Sequence, residues 1–542
     1  MASRSRILER LDGGSFDVLV VGGGINGAVA AAVLAARGAS VALVERGDFA
    51  GFTSQASSNL VWGGFKYLEN YEIRLVRKLC VSRNRLLHAY PTNITEVDFV
   101  AALDRSAPHP PWLAALGATA YWAIGSFQTR SPRYLTRRRI EQIEPVIDTG
   151  NVRGGIRYAD AYLNDNDSRF VFGFVRRALD LGAAAANYVE LVAAERSGGL
   201  WHATVRDVEG PDAGDELTLT ARCLVNAAGP FVDQLGRQWG IRTAHRIVYS
   251  KGIHLVVPQL TPSRRVLAFY DDTGRLFYVI PMGNRSVIGT TDTRVDDPHT
   301  VVTDDDRAFL LGQINARLDL DRPLTSGDVI AERTGVRPLV VASDGDSHDD
   351  VEWTSLSRKH EIELDAESSV VTIFGGKLTD CLNVGEEVAE AVGDHLGVRL
   401  EPDRGDWYGE PGDDSRHEFY RQARMLRLDS LRDKPGVEPL TKRLWRRYGW
   451  RALPMLEAIR DDPSMGLDVM ESADYLRVEL HHAADHEMVT RLDDFMQRRS
   501  KIDLVVRDDE IRAGTGLGDV ARILFGDRAD AKLAEYLAGA PN

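Results

Sequence analysis

Cysteine is scarce in this chain: Cys80, Cys223 and Cys381 are the only three in 542 residues, and no two stand at CxxC spacing. That excludes a disulfide framework and a thiolate metal site, and it fits a reducing cytoplasm. A basic excess is also lacking. The formal net charge is −14, which excludes nucleic acid as a partner, because phosphate binding needs a concentrated basic face. The opening segment MASRSRILERLDGG carries charges but no apolar core or small-residue cleavage site, so no secretion signal is expected. No nucleophile elbow, P-loop or EF-hand pattern occurs. One uncharged run, PPWLAALGATAYWAIGSF at residues 110–127, precedes the basic stretch QTRSPRYLTRRR. It is short for a membrane span and studded with Trp, Tyr and Gly. It is expected to form a buried helix, a helix lying in a membrane interface or, despite its length, a span.

What the chain does have is concentrated in residues 16–46, FDVLVVGGGINGAVAAAVLAARGASVALVER. An apolar strand runs into Gly22, Gly24 and Gly27 at GxGxxG spacing, an alanine-rich helix follows to Gly38, and a second strand ends on Glu45. Gly22 makes the tight turn, Gly24 lets a pyrophosphate approach the backbone, and Gly27 allows close helix–sheet packing. The phosphates then rest on a helix N-terminus, where unpaired N–H groups favour an anion. Glu45 is placed to accept hydrogen bonds from a ribose diol. That disfavours NADP, although Arg46 is adjacent, and leaves FAD and NAD both open. Nothing else repeats the fingerprint, so one dinucleotide is expected.

Further along, LVNAAGP at residues 224–230 reads as a buried strand entering a small-residue turn that a flat ligand can approach. Residues 254–257, 277–280 and 287–289 read as strands of a second, antiparallel sheet. The pieces ending at Asp292 and Asp380 run from apolar strands into polar turns, and residues 382–396 have a helical pattern. The Gly-, Pro- and Asp-rich EPDRGDWYGEPGDDS, from residue 401, reads as a linker or surface loop. Helical periodicity dominates beyond it, with Leu476, Leu480, Met488, Leu492 and Phe495 on one stripe of a helix over 473–499. The expected fold is α/β, with two divisions. Residues 1–400 form a Rossmann-type dinucleotide domain interleaved with an antiparallel-sheet substrate domain, and residues 401–542 form an all-α domain.

Several side chains have the right chemistry for a site. GFTSQASSNLVWGGFKYLEN, at residues 51–70, supplies hydroxyls and a glycine pair suited to a phosphate or a flavin. FGGKLTD, at 374–380, offers Lys377 at a strand end, where it would either offset negative charge on a reduced ring or form an ion pair. Arg337 and Arg358 suit an anionic substrate, since guanidinium forks match phosphate and carboxylate. His254, alternating with apolar neighbours, is either a core histidine or, beside a flavin, a general base. His482 and His486 have i,i+4 spacing, but no third ligand is evident and no metal is expected.

Taken in order, VVGGGINGA, SQASSNLVWGGFKYLENYEIRLV, LVNAAGPFVD, KGIHLVVP, VIGTTD, GVRPL, FGGKLT and DHEMVTRLDDFMQRRS resemble the FAD-dependent glycerol-3-phosphate dehydrogenase and α-glycerophosphate oxidase family. That family belongs to the flavoproteins related to D-amino acid oxidase. The resemblance implies FAD, and oxidation of sn-glycerol 3-phosphate to dihydroxyacetone phosphate by hydride transfer from C2 to flavin N5. Quinone would take the electrons in a dehydrogenase and oxygen in an oxidase. By motif match, Gly22, Gly24, Gly27, Glu45, Ser54, Ala228, Gly229, Gly375, Gly376 and Lys377 would line the FAD. His254, Arg337 and Lys377 would be catalytic, and Lys66, Tyr67, Arg337, Arg358 and Asp380 would bind substrate. Peripheral contact with the inner face of the cell membrane and a homodimer are the associations allowed for.

Three positions depart from the family pattern. The family loop usually reads HGGLRYLE or HGGIRYLE, whereas this chain has WGGFKYLE, so Trp62 stands for a histidine and Lys66 for an arginine. Tryptophan carries no proton and lysine makes no bidentate fork. Asp380 stands where the family has a second threonine, and Lys66 is the cation expected to neutralise it. Asn59 also replaces a frequent lysine. The departures suit either a variant pocket for the same substrate or a different polyol phosphate, 2-hydroxy acid or amine. Loss of the proton-handling histidine would also suit a non-catalytic flavoprotein.

Overall fold

The computed structural model describes the whole chain except residues 1, 211–212, 272–273, 344–358, 398–399, 433–437, 471–472 and 540–542, and the side chains of residues 2–3. Arg358 lies outside the described residues.

The run that follows Phe16 is buried on both faces and forms the middle of a parallel sheet. Gly14–Val21 lies between Glu216–Asn226 and Val41–Glu45. Val370–Phe374 and Ala184–Asn187 extend the sheet on its two sides, also in parallel. Glu361–Asp365 closes one edge in antiparallel sense, and the hairpin of Val189–Ser197 and Leu200–Asp207 branches from Glu216–Asn226. The helix Ile25–Ala36 is buried from Asn26 to Ala35, packed beside the helices Asp167–Asp180 and Cys381–Leu396. Its alanines and valines leave it apolar all round, as a fully enclosed helix must be.

The second sheet has ten strands. Its centre, His245–Pro258, pairs antiparallel with Arg285–Gly289 on one side and Ala331–Ala342 on the other. Leu276–Met282 and Val266–Tyr270 follow in antiparallel order, and Val266–Tyr270 then meets Ile94–Leu103 in parallel. The chain alternates between the sheets: strands of the first come from residues 14–45, 184–226 and 361–374, those of the second from 60–163 and 245–342. The two sheets are therefore interleaved in sequence.

After residue 400 the described residues form helices and turns. Residues 401–412 form an irregular surface loop, as expected, but an anchored one: Trp407 is fully buried against the first sheet's core, and Glu410 accepts from the Thr92 amide at 2.6 Å. One expectation there needs correction. The stripe over 473–499 is not one helix. Arg477–His486 ends before Met488, which has φ +50°, and the chain resumes as a π-helical turn, Asp494–Arg499. The break serves buried charge. Glu487 holds Arg169 at 2.7 Å, while Asp494 accepts the Thr490 and Arg491 amides at 2.7 and 2.8 Å.

Candidate active site

The dinucleotide end is built by close approach. Gly22 has φ +109°, and a methyl there would sit 2.6 Å from the Ala227 carbonyl oxygen. A methyl on Gly27 would sit 1.9 Å from the Gly22 carbonyl oxygen. Both positions therefore require glycine. Helix Ile25–Ala36 starts at Gly24 without a side-chain cap of its own, and the Ile25 amide donates to Ser54 Oγ at 3.0 Å. Glu45 accepts from the Gly23 and Gly47 amides at 2.6 and 2.9 Å. Burial raises its carboxyl above the ordinary glutamate range, against those two donors. Two of its roughly four acceptor positions remain for a diol.

Opposite this end, Ala228 and Gly229 follow strand Glu216–Asn226, with Gly229 at φ +58°. Gly375 and Gly376 both have positive φ, at 65° and 103°. Asn26 ties this turn to the first helix by donating to the Gly375 carbonyl at 2.9 Å, while its buried Oδ1 has no hydrogen-bond partner. A helix N-terminus with a side-chain acceptor only at its first amide, an orphaned buried acceptor and turns that exclude Cβ atoms fit a dinucleotide cofactor.

The second sheet supplies the other wall. In the register of Ala331–Ala342 on His245–Pro258, Ser250 faces Arg337, Gly252 faces Gly335, and His254 faces Arg333. Residues directly opposite, and every second residue along each strand, share one face. The two glycines therefore clear a floor between the arginines. Arg337 leans over Gly252, donating to Thr290 Oγ1 at 2.6 Å and the Thr291 carbonyl at 3.1 Å. His254 is buried, and neither ring nitrogen has a hydrogen-bond partner. Burial, then the charges of Arg333 and Arg337, hold its pKa well below the usual histidine value. Gly289 is needed beside it, since a methyl there would meet the imidazole Cδ2 at 2.6 Å.

The two walls meet. Thr53 Oγ1 donates to the Val336 carbonyl at 2.7 Å, and the Cβ position of Gly375 lies 3.5 Å from the Pro338 carbonyl. Lys377 donates to the Tyr67 hydroxyl at 2.7 Å, and the Trp62 and Tyr67 rings are 5.8 Å apart. Lys66 is half-buried beside Tyr67, and its ammonium makes no hydrogen bond or ion pair with the described residues. Asp380 is turned away from Lys66. Its carboxylate lies 2.9 Å from His360 Nδ1 and 3.8 Å from Lys78 Nζ, and it accepts from Ser82 and Asn383. His360, also 2.9 Å from Glu387, has its pKa raised to about 9: its two carboxylate partners outweigh the effect of burial.

Arg333, Asn26 and His360 escaped the sequence reading. Arg333 had a signal, since it stands at period two from Gly335 and Arg337 on a strand. Asn26 and His360 had none, because their partners lie hundreds of residues away or on another element. His482 packs its ring 4.8 Å from that of His486, and burial pushes its pKa down to about 4.

Residues 17–375 match the family model for FAD dependent oxidoreductases, and residues 424–524 match the C-terminal domain of alpha-glycerophosphate oxidase. The chain is 30% identical to glycerol-3-phosphate dehydrogenase 2 of Mycobacterium tuberculosis (strain H37Rv), across 99% of this chain and 90% of the relative. It is 27% identical to the aerobic glycerol-3-phosphate dehydrogenase of Bacillus subtilis (strain 168), across 92% of this chain and 89% of the relative. Among solved structures, the glycerol-3-phosphate dehydrogenase of Bacillus halodurans in complex with FAD superposes with a TM-score of 0.73. That match has 24% identity and covers 99% of this chain and 96% of the other, so it supports the fold alone.

Proposed function

Because the chain belongs to the family of FAD-dependent oxidoreductases, we propose that it oxidises sn-glycerol 3-phosphate to dihydroxyacetone phosphate. The observation that carries this reading is His254: a buried imidazole, held neutral by burial and by the charges of Arg333 and Arg337, with both nitrogens unpaired. FAD, which the Gly22–Gly27 turn, Ser54 and the Gly375–Gly376 turn would hold, would supply the two-electron acceptor for the hydride leaving C2. His254 accepts the C2 hydroxyl proton. Arg337 polarises the oxygen on which negative charge develops, and Lys66, a cation without a partner among the described residues, binds the phosphate as a point charge. Arg358 is retained as a second phosphate ligand by its place in the sequence. Lys377, fixed by Tyr67, offsets charge at the cofactor. Asp380 is assigned to shaping the GGKLT turn through His360 and Lys78 rather than to touching substrate.

Electrons leave to quinone at a membrane surface. Helix Pro111–Ile124 buries only Pro111, Ala118 and Tyr121, and shows Trp112 and Leu116 to solvent at 65% and 61% exposure. Phe127 and the exposed Arg130, Arg133, Arg137, Arg138 and Arg139 follow it. An apolar face bordered by arginines suits the interface of an anionic bilayer. Among the described residues no helix is long and apolar enough to cross a membrane.

Trp62 and Lys66 favour a second reading, a different small polyol phosphate, because both change the loop beside Tyr67. An anaerobic substrate panel separates the two. Glycerol 3-phosphate is expected to bleach the oxidised flavin band at micromolar to millimolar concentration, with glycerol, 2-hydroxy acids and amines inert. Bleaching by another polyol phosphate alone would replace the leading reading.

A further inference from the structure

We propose that a strap from the antiparallel sheet clasps the cofactor, with His299 as its catch. Residues 296–303 leave the short strand Thr293–Val295, which pairs with residues 249–251, and re-enter the fold at helix Asp304–Asn315. The strap is anchored at its start by the pairing of Thr293–Val295 and is pinned just past its crest. Lys251 Nζ donates to the Val301 carbonyl at 3.2 Å and to Asp306 at 2.5 Å, and the Thr300 and Thr334 hydroxyls are 2.9 Å apart. At the crest, the His299 amide donates to Asp297 Oδ1 at 2.8 Å, a local turn that fixes the direction of the imidazole.

That imidazole meets two phenylalanines. Its ring centroid is 5.5 Å from Phe52, edge-on at 80°, and 5.6 Å from Phe231. Phe52 and Phe231 are themselves 5.1 Å apart at 65°, and the Arg46 guanidinium lies 4.1 Å above the Phe231 ring. These are the separations at which aromatic and cation–π contacts are favourable.

The identity of the segments gives the cluster its function. Arg46 follows Glu45, the ribose acceptor. Phe52 stands two residues before Ser54, whose hydroxyl sits at the first helix's N-terminus. Phe231 ends the Gly229–Phe231 turn. The three segments of the dinucleotide end that line one side of the site thus each send a side chain outward to one cluster. The fourth member arrives from the other sheet and bolts them together. His299 is solvent-exposed and adds little core, so its contacts act on this mouth rather than on the fold. FAD leaves only when the strap lifts, and the clasp sets that rate. The inference requires FAD as cofactor and is independent of the substrate.

The test is FAD release from purified holoenzyme after dilution, followed by the rise of free-flavin fluorescence, with thermal unfolding of the FAD-free protein measured alongside. His299→Ala, losing both ring contacts, is expected to release FAD about tenfold faster. Phe231→Ala is expected to do the same, and His299→Phe, which keeps a ring at the crest, to restore release to within about twofold of the parent. In all three variants the FAD-free protein is expected to unfold at the parental temperature. Release from His299→Ala at the parental rate, failure of His299→Phe to restore it, or an equal loss of stability in the FAD-free variants would each overturn the proposal.

Discussion

Buried opposite Arg333 and under the charge of Arg337 as well, the imidazole of His254 resists protonation, and in the proposed mechanism this sets the acid limit of activity. A depressed pKa means that the neutral, proton-accepting form persists below the ordinary histidine value of about 6.5. The logarithm of kcat/KM, corrected for the ionisation of the substrate's own phosphate, is therefore expected to stay level as pH falls from 8 to about 6.5, with its decline confined to more acid solution. An acid limb centred at or above about 6.5 would contradict the assignment. His254→Asn should lower the flavin reduction rate by about 10²- to 10⁴-fold and abolish the limb. At this scale Gly22 and Gly27 of the fingerprint were legible in the sequence, because each answers a steric demand that no other residue meets. Arg337 and His254 were legible as residues but not as neighbours. Their shared face depends on a register that places Ser250 opposite Arg337, and one sequence does not encode that pairing visibly.

Helix Pro111–Ile124 shows the same division among elements. Its uncharged composition left burial and interfacial placement equally open, and only its position on the molecule, with Trp112 outward and Tyr121 inward, favours the second. Tyr121 donates to Asp160 at 2.6 Å, and Asp160 also accepts from Arg83 at 3.0 Å, so the inner face is held by a buried polar network. The proposed membrane contact uses the outer face, whose exposed Trp112 and Leu116, followed by Phe127 and a run of arginines, complement an anionic lipid surface. Sedimentation with vesicles containing anionic lipid should carry the protein down at low salt and release it at high salt. Trp112→Asp with Leu116→Asp should weaken binding at least tenfold, about 1.4 kcal/mol or more, while FAD content stays unchanged. Binding that is indifferent to both the substitutions and salt would dismiss this helix as the contact. The broken stripe at 473–499 was illegible for a related reason: apolar periodicity continued through Met488, while the buried charges of Glu487 and Asp494, which interrupt the helix, take partners from residues far upstream and from the local turn.

Over the whole molecule, the helical C-terminal region is locked to the cofactor end by buried ions. Asp48, three residues past Glu45, accepts from Arg498 at 2.7 Å and from both terminal nitrogens of Arg499 at 2.8 Å, with Asn187 adding a fourth bond at 2.8 Å. The two guanidinium groups keep the Asp48 carboxyl below the usual aspartate range despite its burial. Asp494 is pushed the other way by burial and by the charge of Asp48. Removing a partner from a buried pair costs more than the pair itself contributes, because a charge is left without compensation. Arg499→Met should therefore destabilise the holoenzyme by about 3 kcal/mol in urea unfolding and weaken FAD binding as the loop after Glu45 loosens. A loss under about 1 kcal/mol would show that this lock is not structural. The interleaved plan of the two sheets was readable from the order of the motifs. The lock was not, since its members lie about 450 residues apart.

We propose that neutral His254 and Arg337 on the second sheet serve hydride removal from C2 of glycerol 3-phosphate, and stopped-flow reduction of the anaerobic holoenzyme by glycerol 3-phosphate carrying deuterium at C2 tests this. Full bleaching of the oxidised flavin band is expected in one turnover, several-fold slower with the deuterated substrate than with the protiated one. A flavin band that persists at millimolar substrate, or bleaching at the same rate with either isotope, would contradict it.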